Sequence, residues 1–320
     1  MKAAIRYQYG PPEVINIKEV EKPEPKDHEV LVRVLATTVN RTDCAILEGK
    51  PFIMRFLTGL RKPNDLIPGT DFAGRIEKVG KTVSKFKVGD EVWGFDDNGT
   101  RTQAEFLTIS EEKAILTIPK NTNYDDAAAS AEGAHYAYNF TNKVKLQPGQ
   151  KVLVNGASGA IGSAAVQFLK YFGLYVTAVC GTENLELIKS LGADRVIDFE
   201  KEDFTKDREL YHYVFDSVGK STFARCKPLL AENGIYISSE LGPYTQNPLL
   251  AMITPLTGGK KVIFPVPVNI KASLKFTSKL IEEGKFKPVI DRKYTLNQIT
   301  EAYRYVASGK KVGNVILSLG

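Results

Sequence analysis

Two patterns of apolar positions divide the chain. Up to about residue 120 the apolar residues come in short runs with a period near two. Val30–Val39 (VLVRVLATTV) begins in this way, with side chains alternating between two faces of a strand. Further short β segments are predicted at Phe72–Val79, Val88–Phe95 and Glu105–Ile109. Turn formers punctuate them at Pro23, Pro25, Gly69, Gly74, Gly80, Gly89 and Gly99. Short strands with Gly and Pro between them predict a barrel-like or sandwich-like unit.

Beyond residue 120 the period changes. The alanine-rich stretch Tyr124–Phe140 predicts a helix, and Lys151–Asn155 a strand. Then helix 160–172, strand 174–180, helix 182–191, strands 195–198 and 211–216, helix 220–230 and strand 234–238 follow with short connections. Alternation of this kind predicts a parallel, doubly wound α/β sheet. The strands VLVN and LYVTAVC are almost continuously apolar, as strands covered on both faces should be. A Pro-rich patch (Pro255, Pro265, Pro267), a helix near 270–283 and a final helix–strand pair (296–308, 314–319) complete the chain. No internal repeat or low-complexity segment interrupts it.

With 320 residues, 43% hydrophobic and 25% charged, the chain can bury two cores. The net charge of +6 is interleaved, without the basic runs of a nucleic-acid footprint, so no nucleic-acid partner is expected. Cys44, Cys180 and Cys226 are scattered and form no C-x-x-C pair, which argues against a disulfide framework or a zinc ribbon. The start MKAAIRYQYG lacks the apolar run of a signal peptide, and no window reaches the length of a membrane span. A reducing, cytoplasmic location is therefore expected. Phe52–Leu60, interrupted by Arg55, reads as a cap over a pocket, with contact to a membrane surface as the other reading.

The most specific local signal is Val154-Asn155-Gly156-Ala157-Ser158-Gly159-Ala160-Ile161-Gly162, between a buried strand and an amphipathic helix. Gly159 would let the backbone approach a pyrophosphate, and Gly162 would let the helix lie close on the sheet. The helix N-terminus would then offer unpaired N–H groups to the phosphates. Ala157 stands where the usual first glycine would be. A tight strand–helix turn can use glycine for steric reasons alone, but the flanking strand, helix and βαβ pattern favour dinucleotide binding. The next strand ends Cys180-Gly181-Thr182 with no carboxylate at its tip, which leaves room for a 2′-phosphate and leans towards NADPH, with NADH possible. Glu183 would repel that phosphate; its alternative role is a first-turn acid of the helix capped by Thr182.

Six segments, KAAIRYQYGPPEV, IPGTDFAGRIEKVG, VGDEVWG, QPGQKVLVNGASGAIGSAAVQFLK, LIKSLGADRVIDF and VFDSVG, together resemble the medium-chain dehydrogenase/reductase superfamily. The resemblance is strongest to its zinc-independent quinone oxidoreductase branch and runs over essentially the whole chain. It implies a GroES-like β-rich catalytic domain (1–121 and 289–320), a Rossmann dinucleotide-binding domain (122–288) and a substrate cleft between them. It also implies cofactor contacts from Arg41, Tyr136, Asn155, Ala157, Ser158, Gly159, Ala160, Ile161, Gly162, Gly181, Thr182, Asn184, Ser217, Val218, Gly219, Ser238, Gly242, Phe264 and Val266. A homodimer is the family habit.

The resemblance also bears on metal. Zinc members carry Cys where this chain has Asn40 and His where it has Thr70; Glu132 falls near the third ligand position. One carboxylate does not supply the three protein ligands of a catalytic zinc, so no metal is expected. Without a Lewis acid the favoured chemistry is hydride addition to a quinone or to the β-carbon of an enone or 2-alkenal. Asn40 and Asp43 match the family's substrate-side Asn and Asp and are expected to position the substrate, with a structural loop carboxylate as the other reading of Asp43. His135 could donate a proton or be a helix histidine without a catalytic role. Cys44, beside Asp43, is not expected to be a nucleophile. Two alternatives remain open: a cofactor-binding protein with little turnover and a structural or RNA-binding role, and a zinc-type alcohol dehydrogenase.

Overall fold

The computed structural model describes residues 1–96 and 101–320; the turn glycine Gly99 lies outside the described residues. The chain divides into two compact units, one of Met1–Glu132 with Ile270–Gly320 and one of Gly133–Asn269. The boundaries fall at 132/133 and 269/270 rather than 121/122 and 288/289. The helices Tyr124–Ala129 and Ile270–Glu282 pack with the first unit, the former on strands Glu29–Val39, Asp71–Val79 and Asn314–Ser318.

The second unit is a six-stranded sheet: β1 (Lys151–Asn155), β2 (Tyr175–Cys180), β3 (Arg195–Asp198), β4 (Tyr211–Asp216), β5 (Leu230–Ser238) and β6 (Lys261–Ile263). All five pairings are parallel, and the strand order is 3-2-1-4-5-6. This order reverses direction between β1 and β4, the switch point at which such sheets bind dinucleotides. Val152, Leu153, Val154, Val214 and Phe215 have no exposed surface, as the uninterrupted apolar runs of β1 and β4 require. The helix α1 (Ala160–Tyr171) lies close on the sheet, because Ala160, Gly162, Ser163, Ala164 and Ala165 give its buried face little bulk.

In the first unit an antiparallel meander carries the alternating pattern of the sequence. Strands Glu29–Val39, Asp71–Val79, Glu91–Phe95 and Ile115–Thr117 pair in succession, and Phe106–Ser110 adds to the first of them. The C-terminal strand Asn314–Ser318 returns antiparallel to Glu29–Val39, with Ile290–Thr295 beside it in parallel. The core of this meander is Val30, Val32, Val34, Phe72, Ile76, Val92, Leu107, Ile109 and Ile115. Each such side chain contributes roughly 1.5–3 kcal/mol on full burial.

Two expected helices are broken. Tyr124–Phe140 is two helices, Tyr124–Ala129 and Glu132–Thr141. The first starts on Asn123, whose side chain accepts from Asp126 N, and ends where Ser130 Oγ returns to Asp126 O at 2.6 Å. The expected helix 220–230 is a short helix Phe223–Cys226 followed by a tight turn Lys227–Leu229, since Pro228 supplies no N–H for a further helical bond. Strands Lys2–Ile5, Asn16–Glu19 and Lys261–Ile263 and helices Arg41–Glu48 and Gln246–Thr257 stand beyond the elements that the two periods predict. Among the described residues no helix is long and apolar enough to cross a membrane.

Candidate functional site

The carboxyl ends of the parallel strands gather most of the sequence-predicted cofactor residues. Asn155 ends β1, and Gly156 turns the chain at φ 80°, a left-handed conformation suited to glycine. The tight turn is thus carried by Gly156, one residue before the alanine in the usual glycine position. Nothing in the spacing from Gly159 and Gly162 marked it. Ala157 N donates to Val179 O on β2, and Gly159 N to Gly156 O.

The two later glycines serve different purposes. A Cβ on Gly162 would lie 2.2 Å from Gly156 O and 2.7 Å from Ala157 Cα, so the close approach of helix and turn requires glycine there. A Cβ on Gly159 would meet only Gly156 O, at 3.5 Å, an ordinary contact. No protein atom demands glycine at 159, and its Cβ would instead point into open space at the N-terminus of a twelve-residue helix. First-turn N–H groups of an α-helix have no intrahelical acceptor, so Ala160, Ile161 and Gly162 present donors at this end. The open cradle and its donors fit the pyrophosphate of a dinucleotide.

Asp216, at the end of β4, ties the neighbouring turns together. Its Oδ1 accepts from Asn155 Nδ2 at 3.0 Å and Gly219 N at 3.0 Å, and its Oδ2 from the Tyr236 hydroxyl at 2.7 Å. Ser217 Oγ donates to Asn155 O at 2.7 Å. The carboxylate has no exposed surface, so the Ser217–Gly219 segment and the end of β1 are held by one buried group. The resemblance puts Ser217, Val218 and Gly219 beside the cofactor, and Asp216 is the buried group that orders them.

Gly181, Thr182 and Asn184 form the turn after β2. Ser238 ends β5 fully buried, and its Oγ lies 3.3 Å from Glu240 N. Gly242 turns at φ 71°, and Phe264 and Val266 follow β6. Tyr136 is half-buried on the helix whose Gly133 packs on Ala160: a Cβ at 133 would meet the Ala160 Cβ at 2.8 Å. Arg41 is exposed at the start of helix Arg41–Glu48 in the first unit.

In the first unit, the three positions that answer to zinc ligands do come together. Glu132 Oε2 accepts from Asn40 Nδ2 at 3.1 Å and from Thr70 Oγ1 at 2.9 Å. Asn40 Nδ2 also donates to Thr38 Oγ1 at 2.6 Å, so both hydrogens of the amide are engaged. The amide, hydroxyl and single carboxylate satisfy one another and supply neither the thiolate nor the imidazole that zinc takes at such sites, so this donor set does not suit zinc. Among the described residues no group of three His, Cys, Asp or Glu side chains is arranged to hold a metal.

Asp43 is 2% exposed; its Oδ2 accepts the Asn40 N–H at 2.8 Å and fixes the helix start, while Oδ1 has no hydrogen-bond partner in the protein. Burial, then the neighbouring Glu132 and Asp71, pushes its carboxyl well above the ordinary range. Burial and Glu132 likewise raise Asp71 to about 7, against hydrogen bonds from Thr38 and Thr37. Glu132 is also raised by burial, opposed by hydrogen bonds from Thr42, Thr70 and Asn40. Burial brings the Lys311 ammonium down to about 8, opposed by Glu132. His135 is fully buried, and desolvation lowers its imidazole to about 4. It is therefore neutral near pH 7 and poorly suited to donate a proton. Burial and Asp43 raise the Cys44 thiol to about 12, which removes it as a nucleophile.

Known proteins extend this picture. Residues 26–120 match the family described as alcohol dehydrogenase GroES-like domain, and residues 191–317 the one described as zinc-binding dehydrogenase. A chloroplast envelope quinone oxidoreductase homolog of Arabidopsis thaliana is 33% identical, over 93% of this chain and 92% of its own. A 2-methylene-furan-3-one reductase of Solanum lycopersicum is 31% identical, over 99% of this chain and 79% of its own. Among solved structures, the quinone oxidoreductase from Coxiella burnetii shares the fold with a TM-score of 0.88 at 23% identity, over 100% of this chain and 99% of that one. The chain therefore belongs to the quinone oxidoreductase branch of the medium-chain dehydrogenase/reductase family.

Proposed function

We propose that the protein is a metal-independent, nicotinamide-dependent reductase of quinones and α,β-unsaturated carbonyls. The observation that carries this reading is a dinucleotide cradle kept open at Gly159 in a chain whose zinc positions are filled by Asn40, Thr70 and Glu132, hydrogen-bonded to one another. The names of the relatives support the substrate class. A bound nicotinamide supplies the hydride, which adds to an electron-poor quinone or to the β-carbon of an enone. The chain's own contribution is to hold the dinucleotide at the ends of β1, β2 and β4 and to order a buried polar cluster. Asn40 and Asp43 position the substrate, and Asp43 also sets the start of helix Arg41–Glu48 by accepting the Asn40 N–H. The tip of β2 carries no carboxylate of its own and would admit NADPH, were it not for the acids that the end of β3 brings to the same turn.

The test is oxidation of NADH and NADPH by 1,4-benzoquinone, 9,10-phenanthrenequinone and a 2-alkenal with chelator present. Turnover with substoichiometric zinc is expected. Stoichiometric zinc with alcohol oxidation would restore the zinc-enzyme reading, and tight cofactor binding without turnover the binding-protein reading. A homodimer is supported by helix Gln246–Thr257, which packs against the end strand β6 and leaves Leu249, Met252 and Leu256 58%, 73% and 86% exposed. Light scattering after size exclusion should give twice the chain mass. Three free, scattered cysteines support a reducing, cytoplasmic location, which fractionation of the native host would check.

A further inference from the structure

We infer that the adenosine end of the cradle selects against a 2′-phosphate, so that the protein takes NADH in preference to NADPH; this rests on the dinucleotide-dependent reading above. In a doubly wound sheet the adenosine ribose lies at the end of the second strand. Here β2 ends in Cys180-Gly181-Thr182, and two carboxylates from the end of β3 close over that turn. Thr182 Oγ1 lies 2.6 Å from Asp198 Oδ2 and 3.0 Å from Glu200 Oε2, so its single hydrogen is shared between acids. Glu200 reaches so far over the turn that a Cβ on Gly181 would lie 2.6 Å from Glu200 Oε1. Glu183, the next residue, is exposed and adds a third negative group. The Thr182 hydroxyl holds the Asp198 carboxyl below its ordinary range, so Asp198 is ionised wherever the protein would work.

The sequence lacked a carboxylate at the tip of β2, but the fold supplies carboxylates from the adjacent strand. They can accept hydrogen bonds from a free 2′-hydroxyl, as an Asp or Glu at the strand tip would in an NAD site. A 2′-phosphate carries nearly two negative charges and would need Lys or Arg donors in their place. Two cations near this turn face acids: Lys201 Nζ lies 3.3 Å from Asp198, and Arg225 3.4 Å from Asp203. Phe199, 56% exposed, has its ring edge 3.5 Å from the position of a Gly181 Cβ and offers apolar surface without a donor.

The test is calorimetric titration of the full-length protein with NADH and NADPH, and with 5′-AMP and 2′,5′-ADP as fragments without the nicotinamide. NADH should bind about tenfold tighter than NADPH or better, the ratio that corresponds to 1.4 kcal/mol. The same order should hold for the two fragments, and the deficit of the phosphorylated ligands should narrow at high salt. Glu183→Lys combined with Glu200→Thr should narrow or reverse the ratio; should that variant fail to fold, Glu200→Gln alone should narrow it. Equal or tighter binding of NADPH by the wild type overturns the inference and leaves the reductase reading intact. A ratio that favours NADH but does not move in folded variants overturns the assignment to Glu183 and Glu200. Failure of both dinucleotides to bind overturns the cradle itself.

Discussion

Gly159 and Gly162 look alike in the sequence but differ in what surrounds them, and exchanging each for alanine separates packing from ligand contact. At 162 the new Cβ would sit 2.2 Å from Gly156 O and 2.7 Å from Ala157 Cα, both backbone atoms that cannot rotate away. Helix and turn must then move apart, and overpacking of this kind costs about 1–3 kcal/mol or more. At 159 the Cβ meets one atom at an ordinary 3.5 Å, and φ −75° with ψ 171° is open to alanine. Losing glycine at a helix N-cap costs up to about 1 kcal/mol, while the stiffer unfolded chain returns about 0.4–1 kcal/mol. The net change at 159 should stay within about 0.5 kcal/mol. The same Cβ would occupy space that the pyrophosphate needs, so dinucleotide affinity should fall by at least about tenfold, or 1.4 kcal/mol. Urea unfolding and calorimetric titration of both variants give the two axes. The reasoning is refuted if Gly159→Ala unfolds as easily as Gly162→Ala, or if it binds dinucleotide as tightly as the wild type.

Three further outcomes follow from the buried charges. Asp71, near 3.8 in the unfolded chain and about 7 in the folded one, binds a proton more tightly when folded, so it makes the protein less stable as pH rises from about 4 to 7. At about 1.4 kcal/mol per unit this is a penalty of a few kcal/mol, and unfolding free energies measured across that window should show a shallower slope in Asp71→Asn than in the wild type. His135 behaves oppositely: with 6.5 unfolded and about 4 folded, it withdraws stability as pH falls through that interval, and NMR should find its imidazole neutral at pH 6. Cys44, with its thiol near 12, should stay unmodified by iodoacetamide at pH 8 in the native protein and react once urea unfolds it, as read by mass spectrometry.

What the sequence disclosed follows physical range. The alternation of Val30–Val39 and the continuous apolar run of Lys151–Asn155 are local signals, and both became strands at the expected places. Gly162 was legible because its requirement, close approach of a helix to a turn, is met within eight residues, and Gly159 because it stands between a buried strand and an amphipathic helix. Gly156 was passed over because the usual spacing placed the tight turn one residue later. Asp216 was illegible because its role depends on Asn155 and Tyr236, brought beside it by strand pairing rather than by sequence. Asp198 and Glu200 are illegible for the same reason: they reach the turn after β2 from the end of β3, not from the tip of β2 itself. Neither can Lys311 be told from its neighbour Lys310 in the sequence; the fold half-buries Lys311, where it senses Glu132. The helix boundaries at Ser130 and Pro228 were missed through chemistry visible in the sequence, a serine that bonds back to its helix and a proline without a donor.

The central claim is hydride delivery to carbon conjugated with a carbonyl, and isotope transfer reads it directly. The protein would be given NADH carrying deuterium at both C4 positions, a 2-alkenal and a chelator, and the product analysed by mass spectrometry and NMR. The account predicts a saturated aldehyde with one deuterium on the β-carbon. Deuterium on the carbinol carbon of an allylic alcohol, or cofactor that binds and returns no labelled product, would contradict it.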